Sequence, residues 1–279
     1  MTRPLSLLIA AAISVGGLGA ASAADLPLKA RPMPVAVYNW TGCYVGVSAG
    51  AKGAFPSDRA TIPTVTAAGL TAPTSFVDFG RDSDDATWLA GGQVGCNYQA
   101  VGSPWVFGVE ADAHAQHWSQ SNIVQFPPAG GQFVVGDRFD LSSDWQASAR
   151  GRIGYAMDRT LFYVTGGAAF TNVRATSDWI ATGIFPETIA SQTKTLFGGT
   201  VGVGVEYAAT NNITLGVEGR YTDYGSQRFD AGPLAVIAVP GVAVTFARGN
   251  TYRDVRLETG EILFKANYKF GPGAVVAKY

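Results

Sequence analysis

The chain is poor in cysteine, histidine and charge. Two Cys in 279 residues do not make a disulfide scaffold, and no CxxC pair offers a zinc site. His114 and His117 are the two histidines, and on a strand they point to opposite faces. They are too few for a metal or haem ligand set, so neither a metal nor a cofactor is expected. Charged residues make up 15%, with 20 Lys and Arg against 21 Asp and Glu. That near-zero balance lacks the basic stripe a nucleic-acid binder needs. Beyond the N-terminus no apolar run is long enough for a membrane helix. The longest, Pro233 to Phe246, is short of the roughly 20 residues required and is broken by Pro240-Gly241. No phosphate loop, paired catalytic carboxylates or metalloprotease motif is present. His117 with Ser119 is the one pair a lipid-modifying enzyme could use, and nothing orients it. No catalytic residue is expected, and the chain reads as a non-enzyme.

What the chain does have is glycine, with 35 residues, and aromatics at 11%. Arg3, the apolar run Leu5 to Leu18 and Ala21-Ser22-Ala23 read as a secretory signal over residues 1–23, cleaved after Ala23. Residues 24–39, with Pro27, Pro32 and Pro34, read as an extended periplasmic linker. The remainder alternates with period two. In Trp105 to Trp118, Phe107, Val109, Ala111 and Ala113 oppose Gly108, Glu110, Asp112 and His114. The same scheme recurs in Trp88 to Gln99, Asp144 to Tyr155, Thr195 to Tyr207, Ile213 to Thr222 and Glu261 to Phe270. Thr41 to Ala51 and Leu161 to Val173 are Gly-rich and alternate less cleanly. This predicts about eight strands of roughly ten residues, the length a tilted membrane strand needs.

Charge parity sharpens the reading. Glu110, Asp112, Arg150, Arg152, Glu206, Glu218, Arg220, Glu261, Lys265 and Lys269 never share a face with the apolar residues of their strand. A charge on the lipid face at the bilayer centre costs roughly 2–4 kcal/mol, which would enforce that parity. A soluble sandwich would alternate too, with its apolar face on a core. Connection lengths separate the two. Links at 100–104, 157–160 and 208–212 are short, and those at 52–86, 119–143, 174–194 and 225–250 are long. Short periplasmic turns alternating with long extracellular loops characterise an outer-membrane barrel. Trp40, Trp88, Trp105, Trp118, Trp145, Tyr98, Tyr155, Tyr207, Tyr221, Tyr268 and Phe270 fall near strand ends, as interfacial girdles would. The prediction is an all-β, eight-stranded antiparallel up-and-down transmembrane barrel over residues 40–270, with a C-terminal tail over 271–279.

Several short motifs carry a resemblance. Trp40-Thr41-Gly42-Cys43-Tyr44-Val45-Gly46 resembles the first strand of the porin-like outer-membrane barrels of alphaproteobacteria. Residues 91–99 (GGQVGCNYQ), 105–110 (WVFGVE) and 150–155 (RGRIGY) are similar to the second, third and fourth strands, and 267–270 (NYKF) to the last. The resemblance implies an OmpA-like barrel in the Gram-negative cell envelope, placed there by the barrel-assembly machinery and surrounded by outer-membrane lipid. The family includes surface antigens, hemin-binding members and proteins called porins. It therefore points to a structural or surface role, to passage of small solutes, or to a loop-mediated receptor with hemin as a precedent. Oligomeric state follows from none of these patterns. Glu258 to Leu263 departs from the family by being more acidic and less regular. Tyr268 and either Phe270 or Tyr279 form the C-terminal aromatic signal for assembly.

An eight-stranded lumen is filled by side chains. Glu110, Asp112, Arg150, Arg152, Glu206, Glu218, Arg220 and Lys265 are expected to form an interior charge network. Glu110 and Asp112 should face Arg150 and Arg152 across a hairpin, and Glu206 should approach Glu218 and Arg220. The network is read as a plug that fixes register, with a gated ion path as the alternative. Cys43 and Cys96 fall at adjoining ends of the first two strands in an oxidising compartment, which suggests a cross-strand disulfide; two free, lipid-facing thiols are the other reading. Ile123 to Val135 is read as a hairpin projecting above the membrane, and Leu234 to Phe246 as an apolar loop.

Overall fold

A computed structural model describes residues 36–63, 65–67, 70–72, 74–81, 86–127, 133–181, 187–232, 237–238, 245–246, 251–270 and 275–276. The signal segment, most of the linker, the greater part of the apolar loop and Tyr279 lie outside the described residues.

Eight long strands form one antiparallel sheet: β1 (Gly42–Ile62), β2 (Ala86–Gln99), β3 (Trp105–Ile123), β4 (Arg138–Met157), β5 (Thr160–Trp179), β6 (Thr188–Ala208), β7 (Ile213–Asp230) and β8 (Tyr252–Phe270). Each pairs with its sequence neighbours, and β8 closes on β1 from Phe270↔Cys43 to Tyr252↔Thr61. The pairing can be followed once around the ring. Cys43, Cys96, Val109, Gly151, Gly166, Val201, Tyr221 and Gly260 lead back to β1 at Gly53, ten residues beyond the start. That stagger over eight strands gives a tilt of about 40° and a backbone radius of about 8 Å, from strand spacings of about 3.3 and 4.8 Å.

The strands run beyond their expected ends, so the long links are shorter than the sequence implied. β1 reaches Ile62 instead of stopping at Ala51, and β6 starts at Thr188 instead of Thr195. The physical cause is an inversion of hydropathy along the strands that extend above the band. On β8 the outward residues change from Phe270, Tyr268, Phe264 and Ile262 to Glu258, Arg256 and Asp254. Its inward residues change from Lys265 and Glu261 to Leu257 and Val255. The acidic stretch from Glu258 is where that reversal begins. Near this level β4 and β7 carry irregularities in register, between Ser142 and Gln146 and between Asp223 and Ser226. In β7 the bulge holds Gly225 at φ 66°, a left-handed conformation that glycine adopts at little cost. Pro56 is tolerated within β1 because the ladder to β2 has already ended at Gly53↔Ala86. The upper edge of β1 is covered instead by a short strand, Ser75–Arg81.

Two of the expected girdle aromatics face inward. Trp40 and Trp118 are buried, and the other nine are exposed on the outer wall. Trp118 shares parity with Glu110 and Asp112, and its closeness to a strand end had masked that parity.

Candidate functional site

The outer wall sets the membrane level. From Val45 to Ala51 on β1, Tyr98 to Trp88 on β2, Trp105 to Ala115 on β3 and Tyr155 to Trp145 on β4, every outward residue is apolar or Gly, apart from Cys96. The same holds from Phe162 to Phe170, Tyr207 to Phe197, Ile213 to Tyr221 and Phe270 to Gly260 on the remaining strands. Roughly nine residues per strand at a tilt of about 40° span about 23 Å, matching the apolar band of an outer-membrane barrel.

Inside that band the inward face is polar and packed. Inward glycines make the room. A Cβ on Gly95 would lie 2.5 Å from the Tyr44 ring, one on Gly204 2.5 Å from the Tyr163 ring, and one on Gly216 2.7 Å from Glu206 Cγ. The Gly-rich run 198–204 is thus seating for bulky neighbours.

The charges form one lattice. Arg150 lies at its centre, donating to Glu110, to Asp112 Oδ2 at 3.0 Å and to Glu218 Oε1 at 2.5 Å. Lys265 Nζ bridges Glu110 Oε1 at 2.6 Å and Glu218 Oε2 at 3.1 Å. Arg220 joins Asp112, Glu218 and Glu261 at 3.1, 3.1 and 3.6 Å. Arg152 donates to Glu206 Oε2 at 2.8 Å and to the Tyr44 hydroxyl at 2.9 Å, with Tyr163 stacked on its guanidinium. Tyr44 in turn donates to Glu110 Oε2 at 2.6 Å. Lys52 donates to Gln116 and Gln146 and lies 4.0 Å from Glu261. Five carboxylates, Glu110, Asp112, Glu206, Glu218 and Glu261, therefore meet five cations, Lys52, Arg150, Arg152, Arg220 and Lys265, all buried.

All eight residues expected in the interior network are brought together, with one change of partner. Glu206 bonds Arg152 and Asn267 Nδ2 instead of approaching Arg220, while Glu218 collects Arg150, Arg220 and Lys265. The difference arises because the stagger brings β4 opposite β6 and β7 across the lumen, beyond the reach of hairpin reasoning. Lys52 lay beyond the predicted end of its strand, although its parity with Tyr44 and Ser48 marks it as inward. Tyr44, Tyr163, Gln93, Gln116, Gln146 and Asn267 carry no charge and left no signal in a parity test built on charges.

Ser48 Oγ lies 2.8 Å from His114 Nε2, and Asp112 lies 3.2 Å from His114 Nδ1 without a hydrogen bond between them. The pairing had gone unnoticed because Ser48 and His114 are far apart in sequence. Ser48 donates its proton to Gln93 Oε1, whose amide nitrogen donates to Asn267 Oδ1. Asp112 also binds two arginines and Ser148. All three residues are buried in the packed lumen.

Apolar layers lie above and below the lattice. Towards the periplasm, Tyr38, Trp40, Val106, Leu161 and Ala208 pack across the mouth. Trp40 N–H donates to Gln99 Oε1 at 2.9 Å, and Lys269 donates to the Asn39 carbonyl. Towards the exterior, Trp118, Leu141, Val173, Leu196, Tyr224, Phe229 and Leu257 fill the lumen. Above them a buried Asp58–Arg253 pair is covered by Ile62, Val124, Phe133, Phe139 and Trp179. Val124 and Phe133 thus tuck the base of the expected projecting hairpin into the barrel.

Cys43 and Cys96 are register partners on the outward face, and their sulfurs are joined in a disulfide. Tyr268 and Phe270 pack edge to face on the outer wall at the periplasmic end.

The family model for an outer membrane protein β-barrel domain matches residues 9–270. This chain belongs to the outer-membrane β-barrel family. It is 34% identical over 183 residues to a 22 kDa outer membrane protein of Rhizobium leguminosarum bv. viciae, covering 66% of this chain and 70% of that one. It is 28% identical over 270 residues to the 25 kDa outer-membrane immunogenic protein of Brucella abortus biovar 1, covering 95% and 98% of the two chains. Among solved structures, Ail, the attachment invasion locus protein of Yersinia pestis, aligns at 11% identity with a TM-score of 0.39, covering 82% of this chain and 99% of that one. The protein is an outer-membrane barrel of the alphaproteobacterial type that the strand motifs resemble.

Proposed function

We propose that the protein is a closed barrel with a structural and surface role in the outer membrane. It braces the envelope and carries a rigid extracellular extension, without conducting solutes. The observation that supports this is the filling of the lumen: a buried lattice of five carboxylates and five cations, between two apolar layers. Moving an ion through it would require breaking buried pairs and wetting the layer around Leu141 and Leu257. The expected outcome for refolded protein in planar bilayers is silence after heat-modifiable gel mobility has confirmed folding. Steady open channels would replace this reading with that of a small-solute porin.

A second reading, a receptor for a ligand such as hemin or for a host surface, has its own support. The extracellular end holds exposed apolar residues, with Phe126 89% and Val135 64% exposed in the link between β3 and β4 and Ile189 64% exposed on β6. Exposed apolar residues at the extracellular end of a barrel are where such a contact would form. Hemin or matrix binding that disappears on replacing 125–135 with a short turn would establish it.

A further inference from the structure

The first two strands, one of which forms the seam of the barrel with β8, are rich in glycine. β1 carries Gly42, Gly46, Gly50 and Gly53, and β2 carries Gly91, Gly92 and Gly95. Few side chains remain to specify their register, and register is weakly determined in such strands. A slip of one residue would turn Tyr44, Ser48 and Lys52 towards lipid. A slip of two would take Ser48 away from Gln93 and Lys52 away from Gln116. β1 must also present the correct edge to β8, because Phe270↔Cys43 is the last pair that closes the ring. Cys43 therefore touches both halves of the problem: it is the partner of Cys96 on one edge and of Phe270 on the other. The residues separated by 53 positions that carry the bond enclose the whole upper half of β1 and the first extracellular link.

We propose that the Cys43–Cys96 bond is made in the periplasm before the barrel closes, by exchange with a protein carrying a reactive disulfide, and that it serves as the register template on which β8 closes. The Cys43 thiolate attacks one sulfur of the oxidant's disulfide, forming a mixed disulfide and releasing one oxidant thiol. The Cys96 thiolate then attacks Cys43 Sγ, forming the intramolecular bond and releasing the second oxidant thiol. Two electrons and two protons pass to the oxidant. The order follows from location. Both sulfurs lie on the outward wall at the periplasmic edge, within closed ladders beside Val45, Val94 and Phe270, where a protein oxidant lacks the approach it has to an exported, unfolded chain. This inference does not depend on whether the finished barrel conducts.

The test is a pulse-chase of the full chain exported in a Gram-negative host, sampled for alkylatable thiols and for heat-modifiable mobility. The expected result is loss of both thiols before the folded mobility appears. Without the periplasmic protein that carries the oxidising disulfide, reduced and unassembled chain should accumulate, and a small-molecule oxidant should rescue it. The double variant C43S/C96S should assemble about tenfold more slowly to a barrel of the same mobility, because the loop is no longer closed in the unfolded chain. Folded protein that still alkylates at both cysteines would overturn the proposal, as would folding before oxidation or assembly of the variant at the wild-type rate. If the variant fails to assemble at all, the order of oxidation and folding in the wild-type chain still decides.

Discussion

The lower and upper halves of this barrel share every strand but β2, which ends at Ala86, yet they are built inside out from each other. In the lower half the outer wall is apolar and the lumen holds Arg150, Glu218 and their partners. In the upper half the wall carries Arg59, Asp140, Arg228 and Asp254, and the lumen holds Leu141, Phe229 and Leu257. Hydrocarbon surrounds the first half and water the second. A β-strand has two faces, so whichever side meets the solvent of that level forces the opposite chemistry inward. The extracellular half is then an ordinary water-soluble barrel core, standing on a membrane barrel whose core is ionic.

The comparison breaks most sharply at the ionic centre. Arg150→Met should destabilise the folded barrel by roughly 3–5 kcal/mol in urea titrations followed by gel mobility, because Glu110, Asp112 and Glu218 lose a shared buried counter-charge. An unchanged midpoint would mean that water reaches the lattice. In the upper core, Leu257→Ala should cost roughly 2–5 kcal/mol by opening a cavity in packed apolar surroundings. Protease digestion from the extracellular side should detect loosening of the upper half while the membrane half stays folded. The wall tests the same contrast from outside. Val203→Arg, at mid-band on β6, should cost roughly 2–4 kcal/mol, whereas Ser191→Arg, on the same face of the same strand above the band, should stay within about 0.5 kcal/mol. Equal costs at the two positions would remove the membrane boundary from where the wall composition places it.

Much of the lower half was legible. Alternation in Trp105 to Trp118 and Asp144 to Tyr155 assigned Glu110, Asp112, Arg150 and Arg152 to the lumen, because side-chain direction is a local property of a strand. The upper half was misread as loops for an equally physical reason. Its pattern has the opposite hydropathy, and bulges near Trp145 and Gly225 shift its parity. Leu141 and Phe229 continue the numerical alternation of Ala147 and Tyr221, yet beyond the bulges they point into the lumen while Ala147 and Tyr221 point out. Trp118 failed in the same way: its parity was correct, but position near a strand end was given more weight.

The sequence by itself determined which side chains face lipid and which face the lumen of the membrane half, since a period of two needs no knowledge of the partner strand. Only the tertiary structure decided who meets whom inside. Glu218 receives Arg150 from across the ring, and Glu206 goes to Arg152, because a stagger of ten residues over eight strands sets levels that no single strand contains. Pairing across a lumen depends on closure, and closure is a property of the whole ring.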